Sequence, residues 1–550
     1  MSEFTRQFER TRARFGTADL RLEDMYRRGA RKRRNEKIGA IVLALVIALA
    51  STAAIVNTLR GSRGPTPGSP TITPGSVGQL QPRWTGRTGG LAPTPVVTDG
   101  VVVTETRSGH VVAFSDRCAT DGGACSPLWT AQMDPMAALT DPDDPAITWW
   151  SSSYGSPGEP AIDGALAAID GIVYGGSKTG MIYAFDVHCR TDGQACDPEW
   201  TARLPRRSGA RLDRDASAPP VVANGLVLVP SRDGTFAFRV GCGTGGDSCS
   251  PVWRIRPGTF RVQGDVLYTT STAGFGPGQG RAYAYDAITG AMIWRSDTER
   301  GSNAIDPTPV RYGDTVYVNS GGELYAFPAE CRGRCVPSWT APITETWSSR
   351  PVVVGDVVAM TVFSGGSSGG VVAYPVDCNT DGRTCRQRQE TEGFPELTFV
   401  GPQASGDRLY AEAFRAGGMY VFDGSCLANR NHCPVVWQDL RAVTPWETVI
   451  RDGVAYEADT SGAVRAFDAG CSGGMPCAEL WHSDEAPDGT PLIQDGEVLF
   501  TSHDGVIHAY APGEPRVQTS TTGAARFYGG IAVLGVVLLA GRIRRHRRLA

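Results

Sequence analysis

No two cysteines of this chain are adjacent, no C-x-x-C occurs, and no C-x-x-C-H is present to attach a c-type haem. Dithiol redox chemistry therefore has no motif to work with. Long apolar runs are scarce: two stand near the ends, and most of those between are short, while Gly (68) and Pro (37) are abundant. That combination argues for many brief strands joined by turns, an all-β fold, rather than for long helices. The middle of the chain also lacks a basic face. Residues 1–37 hold twelve Lys/Arg against six acids and the tail after Gly541 holds five Arg, so what lies between carries about −15 of the formal net charge of −4. Nucleic acid, whose phosphates require a basic surface, is excluded as a partner.

The two apolar runs explain the basic ends. Residues 38–56 read IGAIVLALVIALASTAAIV, nineteen residues without a charge, which is the length of a membrane-spanning helix. The flank RRGARKRRNEK places residues 1–37 on the cytoplasmic side and the chain beyond residue 58 outside. A cleaved signal peptide is the alternative, with Ala-Leu-Ala at 48–50 as its cleavage site. A second run, FYGGIAVLGVVLLAG (527–541), precedes the basic tail RIRRHRRLA (542–550). Read as a second span, it returns the C-terminus to the cytoplasm. No LPxTG-type motif precedes it for wall attachment. Residues 59–78 and 513–526 are Pro/Gly/Ser/Thr-rich linkers.

Fourteen cysteines fall into seven close pairs: Cys118/Cys125, Cys189/Cys196, Cys242/Cys249, Cys331/Cys335, Cys378/Cys385, Cys426/Cys433 and Cys471/Cys477. An even count at regular local spacing beyond a membrane span predicts seven disulfides in an oxidising compartment. Zinc is disfavoured, because no His-x3-5-His partner follows the pairs.

A strand of the type hydrophobic-Ala-aromatic recurs nine times, with its aromatic at Phe114, Phe185, Phe238, Tyr285, Phe327, Tyr374, Phe422, Phe467 and Tyr510. Before most copies stand two alternating apolar runs around an Asp-Gly or Asn-Gly turn, as in TPVVTDGVVVT, the pattern of a hairpin. After most comes a tryptophan: Trp129, Trp200, Trp253, Trp294, Trp339, Trp437 or Trp481. Each repeat is thus four strands, the size of one propeller blade. Trp84 lacks preceding strands and the last repeat lacks a tryptophan strand, so the N-terminal segment is expected to complete the final blade and close the ring. The sixth repeat, with Gln389 in place of tryptophan, is the most degenerate, which leaves the count at eight or nine.

The stretch RAYAYDAITGAMIW (281–294) resembles the repeat of the PQQ-like, or quinoprotein alcohol dehydrogenase-like, β-propeller family. In the other complete repeats the Ala-x-Thr-Gly turn is replaced by a cysteine loop, as in DVHCRTDGQACDPEW, so each disulfide is expected to close the loop between strands three and four. The resemblance implies an eight-bladed ring as the usual form and raises a PQQ-dependent dehydrogenase with Ca²⁺ and a catalytic Asp as an activity. In that family the quinone rests on a disulfide between adjacent cysteines, which this chain lacks. No catalytic residue, metal or cofactor is therefore assigned.

Other motifs reduce to structure. GGSSG (365–369) and GFGPGQG (274–280) read as hairpin loops, and His503 and His508 as surface or packing residues. Two places suggest binding. A long insertion, residues 134–160, carries Trp149 and Trp150 with Asp141, Asp143 and Asp144, and Trp347 and Trp446 stand in similar phase just before an innermost strand. These four tryptophans either gather at one mouth of the central channel, suiting a sugar, peptide or partner loop, or pack between blades as core. The expectation is an extracytoplasmic propeller (79–512) held at the membrane, serving as a binding, scaffold or sensing module for a protein or cell-wall component. A divergent quinoprotein dehydrogenase is the alternative.

Overall fold

The computed structural model describes residues 71–513 apart from internal segments, the longest being 134–165, 206–218, 271–280, 298–307, 379–388, 391–401 and 441–447. It is an all-β propeller of nine sheets. Blades 1 to 8 begin at residues 96, 166, 221, 260, 310, 347, 403 and 449 and run in chain order. Blade 9 is composite: Leu492–Gln494, Glu497–Thr501 and Val506–Pro512 are completed by Leu80–Arg87 from the other end of the chain. Trp84 lies opposite Ala509 in that ladder, the expected closure. The degenerate sixth repeat is a full blade, with Gln389 opposite Ala373 where other blades place tryptophan.

The inner hairpins form because Asp-Gly and Asn-Gly tolerate the left-handed backbone of a type I′ turn. Asp99 and Gly100, Asp170 and Gly171, Asn224 and Gly225, Asp452 and Gly453, and Asp495 and Gly496 all have positive φ. First strands of successive blades neighbour one another around the axis, as Val96–Thr98 does Leu166–Ile169.

The core has nine parts, each lying between two adjacent sheets. Trp129, Val103 and Ala131 of blade 1 pack with Val173 and Phe185 of blade 2. Trp84 and Leu499 of blade 9 pack with Val102 and Phe114 of blade 1, which closes the circle. The recurring tryptophan and the recurring aromatic are thus two halves of one contact across blades. Ring centroids are 5.9 Å apart for Trp129 and Phe185, and 5.5 Å for Trp294 and Phe327. Residues 72–77, within the segment read as linker, also join this core: Ile72 and Val77 are buried against Trp481 of blade 8.

Six disulfides close loops between third and outer strands: Cys118–Cys125, Cys189–Cys196, Cys242–Cys249, Cys331–Cys335, Cys426–Cys433 and Cys471–Cys477. Cys378 is also bridged, and Cys385 lies outside the described residues. The loops do more than close their own blade. Gly123–Cys125 of blade 1 lies parallel to Trp84–Gly86 of blade 9, and Ser248–Cys249 of blade 3 to Thr201–Ala202 of blade 2. Gly333–Cys335 of blade 5 does the same to Trp294–Ser296 of blade 4, and Ala195 bridges Thr130. Each cysteine loop that forms a strand thus covers the outer edge of the preceding blade, where unpaired backbone groups would otherwise face solvent. In blade 7 the loop contains a helix, Gly424–Asn429, whose Leu427 and Ala428 pack against Val354 and Val357 of blade 6. Blade 4, with the short turn Asp286–Ala291, has no such loop. Gly290 there has φ of +69°, and a Cβ on it would stand 2.6 Å from the Trp253 ring, which accounts for the glycine of the Ala-x-Thr-Gly turn.

Candidate functional site

Of the tryptophans expected to form a ligand mouth, Trp149, Trp150 and Trp446 lie outside the described residues, as do Asp141, Asp143 and Asp144. The backbone of Trp347 pairs with Phe363 in blade 6. Among the described residues no group of three or more His, Cys, Asp or Glu side chains is placed to hold a metal ion. The apolar segments 38–56 and 527–541 also fall outside, and no described helix is long and apolar enough to cross a membrane.

The most concentrated polar chemistry lies where blade 9 meets blade 8. His508, on the third strand of blade 9, is buried with its ring stacked on Phe500 at 5.3 Å. Its Nε2 is 2.9 Å from Ser502 Oγ, and its Nδ1 is 3.8 Å from Glu485 Oε1. Glu485 accepts a 2.6 Å hydrogen bond from the Tyr510 hydroxyl. This is a serine, a histidine and a carboxylate in sequence, but the protons run the wrong way for a nucleophile. Ser502 Oγ is also 2.5 Å from Asp504 Oδ1. A hydroxyl has one proton to donate. With that proton on Asp504, His508 Nε2 must be the donor to Ser502 and cannot take a proton from it. Ser502 is itself buried, and Glu485 is too far from Nδ1 for a hydrogen bond. Burial pushes the imidazole pKa below its ordinary value, with Glu485 and Asp504 opposing. The cluster ties the turn of blade 9 to the segment arriving from blade 8.

A second set of polar side chains links successive blades at the end of the second strand. Asn319 Nδ2 of blade 5 donates to Ser348 Oγ at 3.1 Å and to the Ser349 carbonyl at 2.5 Å. Glu412 Oε1 of blade 7 accepts from Thr448 N and Oγ1, both at 2.5 Å. Thr501 of blade 9 donates to the Ala92 carbonyl at the entry to blade 1. Glu105 holds the same register in blade 1, yet its Oε2 is buried without a hydrogen-bond partner, and burial raises its pKa to about 8. Of these residues, only His508 stands out in the sequence, where a packing role is one of its two readings. Only the phase of His508 hinted at burial: it stands two residues before Tyr510, where other repeats carry Tyr183, Tyr283, Tyr325 or Tyr420.

Comparison with known proteins bears on this arrangement. A family model described as outer membrane protein assembly factor BamB, a PQQ-like propeller model, matches residues 147–361 and 278–514. Together these stretches cover more than half of the chain. This chain belongs to the PQQ-like β-propeller family. Among solved structures, BamB from Moraxella catarrhalis is 15% identical, covering 78% of this chain and 97% of its own, with a TM-score of 0.42. A quinohemoprotein alcohol dehydrogenase from Comamonas testosteroni is 13% identical over 83% of this chain and 82% of its own, with a TM-score of 0.45. The quinohemoprotein alcohol dehydrogenase ADHIIG from Pseudomonas putida HK5 is 14% identical over 80% and 77%, with a TM-score of 0.44. No curated protein matches the chain. For this PQQ-like propeller a bound quinone is a poor fit. The six described disulfides join residues four to seven apart and lie in loops beside the outermost strands, so none supplies an adjacent-cysteine platform.

Proposed function

We propose that this protein is a non-catalytic binding or scaffold module, a PQQ-like propeller held at the outer face of the cytoplasmic membrane and engaging a protein or cell-wall component. The observation that carries the proposal is the use made of the cysteines and polar groups. The described disulfides brace loops, several of them against a neighbouring blade, and the serine–histidine–carboxylate cluster of blade 9 is buried and hydrogen-bonded within itself rather than open to a substrate. The family model's description as an assembly factor supports a role in contacting other proteins. The uncharged run 38–56 with its basic flank supports the anchor, and the fourteen paired cysteines support an oxidising location.

Two measurements test this. Protease added to intact spheroplasts should cleave the propeller of the membrane-bound full chain; protection would overturn the location. Native mass spectrometry of the full chain in detergent, titrated with PQQ and Ca²⁺, should show no stoichiometric adduct. A saturable adduct with dye reduction would establish the dehydrogenase alternative instead.

A further inference from the structure

Both ends of the propeller leave the ring at one place. The last strand, Val506–Pro512, runs antiparallel to Leu80–Arg87 with Leu80 opposite Pro512, and just past the ladder Gly513 N donates to the Gln79 carbonyl at 3.1 Å. This is the end of blade 9 that carries its inner hairpin turn. Tyr510 lies opposite Val498, and Arg83 pairs at 3.5 Å with Glu497, two residues past Asp495 of that turn. The turn between the second and third strands, with His503 and Asp504, stands at the opposite end of the same strands.

The N-terminal exit is fixed there by more than strand pairing. The backbone N–H groups of Ser76 and Val77 both donate to the Thr73 carbonyl at 2.9 Å, and Thr73 N donates to Ser76 Oγ at 2.9 Å. That turn sets Ile72 and Val77 into the seam between two blades, among Val454 and Trp481 of blade 8 and Ile493 and Tyr510 of blade 9. Pro74 lies against the inner hairpin turn of blade 8, where a Cβ on Gly453 would stand 3.6 Å from its ring. The chain is thus hooked to the propeller from Ile72 onward. Between the propeller and the two apolar runs stand only residues 57–71 and 514–526, which span no more than about 50 Å each when fully extended.

We infer that the propeller is held with the hairpin-turn end of blades 8 and 9 toward the bilayer, and with the turns between second and third strands directed away from it. Two short tethers leaving side by side from one end oppose the reversal that a single tether would permit. The inference rests on the proposed membrane attachment, with 38–56 and 527–541 both as spans, and deepens it by giving the propeller an orientation.

The described cysteines are all bridged, so an added thiol is the one that takes a label. Asp495→Cys and His503→Cys each place a maleimide fluorophore on an exposed turn, at opposite ends of blade 9. The labelled full chain is reconstituted into phosphatidylcholine vesicles that carry a rhodamine-lipid acceptor, and energy transfer is measured after flotation. Transfer from position 495 should be about twice that from position 503, because a strand of this length separates the two by about 20 Å. Gly/Ser inserts that double both linkers should erase the difference. Equal transfer from the two positions, or more from 503, in protein that floats with the vesicles would overturn the inference while leaving the anchor standing. A difference that survives the longer linkers would remove the tethers as its cause. Protein that does not float would overturn the membrane attachment, and the orientation with it.

Discussion

The indole N–H of Trp129 donates to the carbonyl of Val187 at 2.7 Å, across the gap between blades 1 and 2. Val187 stands two residues past Phe185, the recurring aromatic of its blade. The same place in other blades accepts from the blade before: Asp116 from Trp84, Val240 from Tyr174, Val376 from Tyr317 and Ala469 from Tyr410. In these blades the donor follows one position of the second strand, opposite the alanine or valine that precedes the aromatic; in blade 8 Tyr456 holds that position with its hydroxyl unpartnered. Where that residue is Val103 or Leu499, the tryptophan reaches the carbonyl; where it is Tyr174 or Tyr410, the phenol does, and the indole N–H of Trp200 or Trp437 is left without an acceptor.

Trp129→Phe and Trp200→Phe should therefore differ. Both rings are fully buried and lose similar volume, but only Trp129 loses a hydrogen bond, a difference of about 1 kcal/mol. Urea unfolding midpoints of the two variants check this; equal losses would refute the selection rule.

A matching contrast holds for the tyrosines. Tyr410→Phe removes a 2.7 Å bond to Ala469 and should destabilise by about 1 kcal/mol. Tyr456→Phe, whose buried hydroxyl has no partner, should be neutral or stabilising. Thermal unfolding of the pair is the measurement.

Opening a cysteine loop should be felt in the neighbouring blade. Thr130 N donates to the Gln194 carbonyl at 3.2 Å and its own carbonyl accepts from Cys196 N at 2.7 Å. Paired Cys189→Ser and Cys196→Ser substitutions should cost about 2.5 kcal/mol in the chain-entropy account of so short a loop. They should also accelerate amide exchange at Thr130, in blade 1, before that of the blade 2 core.

Glu105 predicts a loss of stability in alkali. Its pKa of about 8 in the fold, against an ordinary 4.5, means that the folded chain holds the extra proton between those values. Its contribution is complete below pH 4.5 and lost as pH rises through 8. Glu105→Gln should raise the melting temperature at pH 9 relative to the parent and leave it little changed at pH 5.

His508 works in the opposite direction. Burial lowers its pKa in the fold, so the unfolded chain takes the proton first as pH falls through 6.5. Stability present above that value is lost on acidification. His508→Phe, which keeps the stack on Phe500, should flatten the decline in melting temperature between pH 7 and 5; an unchanged slope would show that His508 does not contribute.

Much of the architecture was legible in residue order alone. The nine recurring aromatics, the paired cysteines and the Asp-Gly turns are local signals of period about 45, and each specifies a strand or a turn through its own backbone preference. Closure of the ring by the strand of Trp84 could be read because its missing neighbours and the missing last tryptophan complement each other. The full count of nine could not, since the blade containing Gln389 is held by packing of Val358 and Tyr374 that no tryptophan advertises. What only the tertiary structure decided lies between blades. A disulfide loop seven residues long reads as a closure of its own blade, and its strand-like pairing with the preceding one depends on how two sheets are stacked. The acceptor for Trp129 and the carboxylate beside His508 depend on that same stacking. Periodicity along one chain reports what a blade is made of, whereas contact across blades depends on the angle and spacing at which separate sheets meet.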